Sequence, residues 1–134
     1  MDKLLTDGGC KSAYDGKDTF SYTSKASKRL VCKIKLGKSD CAFKPNGNHL
    51  PGSGSIISQL PQHMLEYMKS GRECGVCAKN NPDFVQCRHG GPYTFTHDGS
   101  TFQRCRFDGP SFALDNSAER DLFRKWIELE LASA

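Results

Sequence analysis

No apolar run in this 134-residue chain approaches the roughly 20 residues that a helix needs to cross a bilayer, so a spanning helix is excluded. The start, Met1 to Gly9, lacks the basic stretch, the long apolar stretch and the small-residue cleavage site of a secretory signal, and the expected location is the cytoplasm. Internal repeats, heptad runs and low-complexity tracts are missing too. No serine or cysteine nucleophile stands with a histidine and a carboxylate at a recognisable spacing; His49, His63 and His97 are each isolated, with His97 at an exposed hairpin tip. Pro51-Gly52-Ser53-Gly54-Ser55 lacks the lysine and the strand-loop-helix setting of a phosphate-binding loop and reads as a connector. No catalytic residue is assigned, and a binding module is expected rather than an enzyme.

What the chain does hold is an ordinary globular composition, 37% hydrophobic and 25% charged, at a length suited to one domain over residues 1–134. A net charge of +4 gives a mild preference for anionic partners and is no nucleic-acid signature. Seven cysteines are present. Their odd number, the missing signal and the clustering of four of them favour reduced thiols and metal ligation over cross-linking.

The apolar pattern predicts an α+β fold. Residues 1–17 read as an irregular N-terminal arm or a short edge element, since Gly8-Gly9 and Asp15-Gly16 interrupt any period. Alternation predicts strands over 19–24, over Leu30 to Leu36 and at Cys41 to Phe43. In the second, Leu30, Cys32, Ile34 and Leu36 share one face and Lys33 and Lys35 the other. A helix is expected over about 60–70, with Pro61 in its first turn, Met64, Leu65 and Met68 at helical spacing and Gly71 as its stop. Asp98-Gly99 is the preferred pair for a two-residue type I′ turn, which places Phe95 opposite Phe102 and Cys105 opposite Pro92. Asp115, Asn116 and Ser117 offer caps for a last helix, whose apolar stripe is Leu122, Phe123, Trp126, Ile127 and Leu129. The expected architecture is an antiparallel sheet from 19–44 and 92–107, packed on one face by two helices.

Cys74-Gly75-Val76-Cys77 is a C-x-x-C pair; Cys87 follows after nine residues and Cys105 after a further seventeen. Paired thiolates at this spacing fill two corners of a zinc tetrahedron, and hairpin closure returns Cys105 towards Cys87. His89 competes with Cys105 for the fourth place. Four protein ligands leave no open position, so the expected cofactor is a structural zinc. Against this, Cys87 and Cys105 can be read as buried small hydrophobes, and Cys74/Cys77 as the dithiol of a redox enzyme. That last reading needs a strand before the pair and a helix starting on it, whereas turn residues are expected to follow. Cys10, Cys32 and Cys41 are assigned no chemistry.

Lys25, Lys28, Arg29, Lys33, Lys35 and Lys38 fall within fourteen residues, with Phe20 and Tyr22 upstream as platforms for stacked bases. A solvated sheet face explains the same lysines, and is the reading preferred over nucleic-acid binding. The order of basic strands, a short helix ending in glycine, the cysteines at 74, 77, 87 and 105 and the closing helix Leu122 to Leu131 resembles small cysteine-containing α+β domains of anaerobic bacteria. The resemblance covers most of residues 18–131 and implies a stand-alone, zinc-binding domain without an assigned activity. The expectation is a zinc-stabilised module for a protein or small-ligand partner, with no membrane partner.

Overall fold

The structure is a computed structural model that describes residues 2–52, 54–87, 91–114 and 119–133, with the backbone alone at Val76. Its main sheet grows outward from the segment with the clearest alternation. Strand β3 (Leu30–Leu36) lies between β2 (Thr19–Ser24) and β4 (Cys41–Pro45), both antiparallel to it. Strand β1 (Cys10–Tyr14) adds beyond β2 and the short β7 (Phe112–Ala113) beyond β4, giving a five-stranded order β1-β2-β3-β4-β7. Register aligns Tyr14, Phe20, Ile34, Phe43 and Phe112 in one row across all five strands. Paired residues share a face, so this row is the core side. It runs from Tyr14, 51% exposed at the outer edge, to fully buried Phe43.

Helix α4 (Arg120–Ser133) covers the buried end of that row. Phe123, Trp126 and Ile127 are fully buried. The Trp126 ring meets Phe43 edge-on at 6.3 Å, and Phe123 stacks on Phe112 at 5.9 Å. Burying these three side chains contributes on the order of 2 kcal/mol each. The expected caps at 115–117 lie outside the described residues.

Residues 1–17 are not an irregular arm. They form helix α1 (Asp2–Asp7) and the edge strand β1. Leu5 is fully buried, and the Tyr22 hydroxyl donates to Asp2 Oδ1 at 2.8 Å. Besides the ladder to β2, the buried side chains of this end are Leu5 and Cys10, too few to generate a sequence period.

Strands β5 (Tyr93–His97) and β6 (Ser100–Arg104) form the expected hairpin, with Phe95 opposite Phe102. Asp98 and Gly99 both have positive φ, 50° and 77°, as a type I′ turn requires. Contrary to the expectation of one sheet from 19–44 and 92–107, the hairpin stands as a separate two-stranded sheet. The edge of β4 is taken by β7 instead, because Phe112 completes the aromatic row. Helix α2 (Gln62–Lys69) buries Met64, Leu65 and Met68. It follows a 3₁₀ turn (Ile56–Gln59) against which β5 packs. The Lys69 carbonyl accepts from Arg104 Nε and Nη2, at 3.1 and 2.9 Å, fastening helix to hairpin. Among the described residues no helix is long and apolar enough to cross a membrane.

Candidate functional site

The sheet face opposite the aromatic row carries the most one-sided chemistry in the molecule. Lys33 and Lys44 are direct partners across β3 and β4, a like-charge pair that is unfavourable when nothing neutralises it. The register shifts between Tyr22 and Thr23, which pair with Cys32 and Leu30. This irregularity turns Leu30 away from the core face, where alternation had placed it, and buries Val31. Leu30 instead lines a cleft of about 670 Å³ with Arg29, Lys33, Lys44, Arg106 and Phe107. Its lining among the described residues holds four cations and no carboxylate. Among the described residues no acidic group lies within ion-pair distance of any of the four, whereas Lys35, on the same face, has Asp18 at 3.8 Å.

Arg106 is fixed from below. Its Nη1 donates to Asn48 Oδ1 at 2.9 Å and its Nη2 to the Pro92 carbonyl at 3.1 Å. Asn48 is held in turn, with Nδ2 donating to the Leu30 carbonyl at 2.9 Å and the backbone N–H to Glu130 Oε2 at 3.1 Å. Glu130 is fully buried. Its other oxygen has His49 Nδ1 at 2.7 Å and accepts from Trp126 Nε1 at 3.3 Å. A buried carboxylate of this kind is tolerated only with several donors around it. Burial pulls the Arg106 guanidinium below its usual pKa, opposed by Glu130 and Cys87, with neighbouring Arg29 adding to the depression. Arginine nonetheless stays a cation. Arg106 Nε is enclosed and has no acceptor among the described residues.

The four cysteines singled out by spacing are arranged differently. Cys74, Cys77 and Cys87 are exposed and Cys105 is half-buried. The Cys105 N–H donates to the Arg72 carbonyl at 2.7 Å and Glu73 bridges Arg104, so the chain leading into Cys74 runs beside the strand that ends at Cys105. Cys87 lies near enough to Arg106 to act on its charge. Among the described residues no three His, Cys, Asp or Glu side chains are gathered closely enough to hold a metal; His89 lies outside them. A short helix α3 (Val76–Asn80) starts inside the C-x-x-C, where turn residues were expected. The residue before the motif makes only an isolated bridge, not a strand, so half of the redox-dithiol arrangement is present.

Two expected base platforms fail. Tyr22 is 3% exposed and Phe20 stacks on Tyr14 at 4.7 Å, both away from the lysine face. His97 is half-buried rather than exposed, its Nδ1 3.6 Å from Asp98 Oδ2. Glu130 and His49 went unnoticed as a pair because they stand 81 residues apart; the one available signal is a glutamate at helical spacing from Phe123, Trp126 and Ile127. No protein-family model, curated protein or solved structure matches the chain.

Proposed function

We propose that the protein is a non-enzymatic binding module that takes a multiply charged anion in the cleft of Arg29, Lys33, Lys44 and Arg106. The observation that carries this reading is the unneutralised Lys33/Lys44 pair, set opposite a guanidinium whose orientation is fixed by Asn48. An anion bridging the two lysines removes their repulsion, and Arg106 offers fixed donors at little ordering cost. Tripolyphosphate is the test ligand. Calorimetry at low salt should show binding that weakens steeply as salt rises, and Lys33→Glu with Lys44→Glu should abolish it. Binding that ignores salt or survives the double reversal would overturn the reading.

A structural zinc on Cys74, Cys77, Cys87 and Cys105 is the second reading, with His89 as the alternative fourth ligand. Every side chain described from Arg72 to Cys87 is largely exposed, Phe84 the least at 38%, so this stretch draws little from the apolar core. Ordering a residue costs about 1–2 kcal/mol, and a bound ion is one source of the missing stabilisation. Thiols kept reduced in the cytoplasm suit this reading. Native mass spectrometry of protein purified without added metal should show one zinc per chain. A metal-free, well-folded chain would sink it, and a strongly alkylated Cys74 would then point to a thiol enzyme.

A further inference from the structure

The charges account for only part of the cleft. Phe107 follows Arg106 directly, lines the same cleft and has 62% of its surface exposed. Leu30 and buried Pro110 extend the apolar part of the lining. An inorganic anion makes no use of that aromatic surface. We infer that the cleft is a nucleotide site, in which the cations hold phosphate and Phe107 takes the face of the base. The inference rests on the anion-binding reading and adds the ligand class to it.

Three features of the cleft agree with this class. A nucleotide carries its anionic and aromatic parts within one small molecule, matching a lining in which Arg106 and Phe107 are consecutive residues. The volume of about 670 Å³ lies within the range of roughly 300–1,000 Å³ common to small-ligand sites. Stacking on an aromatic side chain tolerates any base, so the site needs no hydrogen-bonding edge to read one. Two further concave sites do not share this chemistry. One sets Lys3, Arg120 and Arg124 against Asp7 and Glu128, and the other holds the His63–Glu119 pair at 3.0 Å. Each mixes carboxylates with its basic groups. The same ligand chemistry has two sources, a free nucleotide and a nucleotide within a single strand.

Calorimetry at low salt with ATP, tripolyphosphate, adenosine and a short oligothymidylate tests the inference. ATP should bind about 5- to 100-fold more tightly than tripolyphosphate, the range expected for one stacked base. Phe107→Ala should erase that margin and leave tripolyphosphate affinity unchanged; the exposure of Phe107 makes misfolding of this variant a minor concern, and circular dichroism checks it. Equal affinities for ATP and tripolyphosphate would overturn the nucleotide assignment while leaving the anion site intact. Binding of neither would remove both. Adenosine binding as tightly as ATP would overturn the role of the cations in holding phosphate. If the assignment stands, the stronger of ATP and the oligonucleotide identifies the source.

Discussion

The sheet with α4 and the stretch from Arg72 to Cys87 sit in one chain of ordinary composition, yet they are held by different physics. In the first, one aromatic or aliphatic residue from each of five strands joins a continuous row, and Trp126 and Phe123 close its buried end. In the second, every described side chain is largely open to solvent; Val85 is 90% exposed, and Phe84, at 38%, is the exception that keeps part of its ring covered. Apolar burial explains the existence of the sheet. For the cysteine stretch it explains little, and local turns such as the Asn81 side chain accepting from the Asp83 N–H hold the backbone there. The two regions should therefore respond to different perturbations.

Trp126→Ala is the largest expected loss, about 3–5 kcal/mol in denaturant unfolding, because it opens a cavity and removes a donor from Glu130. Glu130→Gln keeps the volume but puts an amide among the donors of Asn48, His49 and Trp126; about 2–3 kcal/mol should be lost, near the worth of a charge-assisted buried hydrogen bond. A third perturbation is alkaline pH. Burial pushes the Tyr93 hydroxyl up to about 12, and Tyr22 and Cys32 are raised in the same direction, also by burial. Below the ordinary tyrosine pKa both folded and unfolded chains hold these protons, and the stabilisation is complete. As pH rises from about 10 to 12 the unfolded chain releases the Tyr93 proton first, so stability should fall by about 1.4 kcal/mol per pH unit from this group. Thermal melts across that window check it, and a flat profile would contradict the burial argument.

The remaining two substitutions work on the exposed parts. Cys74→Ser with Cys77→Ser should strip hydrogen-exchange protection from residues 72–87 and shift the main unfolding midpoint little. If the midpoint collapses instead, the sheet depends on the cysteine stretch and the contrast between the two regions is wrong. Lys33→Ala should change stability by less than about 0.5 kcal/mol, in the stabilising direction, because it relieves the repulsion with Lys44. A clear destabilisation would mean that Lys33 is neutralised within the protein.

Local signals carried most of the secondary structure into view. Asp98-Gly99 specified its turn and the Phe95/Phe102 register, because only a few residue pairs accept two consecutive positive φ angles. The β3 alternation and the α4 stripe were equally readable, each being a period imposed by one buried face. What stayed hidden depends on distant pairings. The choice of β7 over the hairpin as neighbour of β4 turns on where Phe112 packs, and α1 is anchored mainly by Leu5 and the Tyr22 hydroxyl. Arg29 and Lys33 were legible within a basic cluster, but their meeting with Lys44 and Arg106 is not local. Neither was the irregularity that moves Leu30 to their side. The spacing of Cys74, Cys77, Cys87 and Cys105 names a donor set without stating where the backbone carries it, and exposure of three of the four thiols is visible only in the fold.

Asn48 touches both worlds of this protein, accepting from Arg106 through its side chain and giving its backbone N–H to Glu130. A change at Glu130 is therefore felt in the cleft, and a change at Arg106 leaves Asn48 with one partner fewer above the buried carboxylate. Substitutions at His49, Asn48, Arg106 and Glu130 should be strongly non-additive. What any one of the four positions tolerates therefore depends on the residues at the other three.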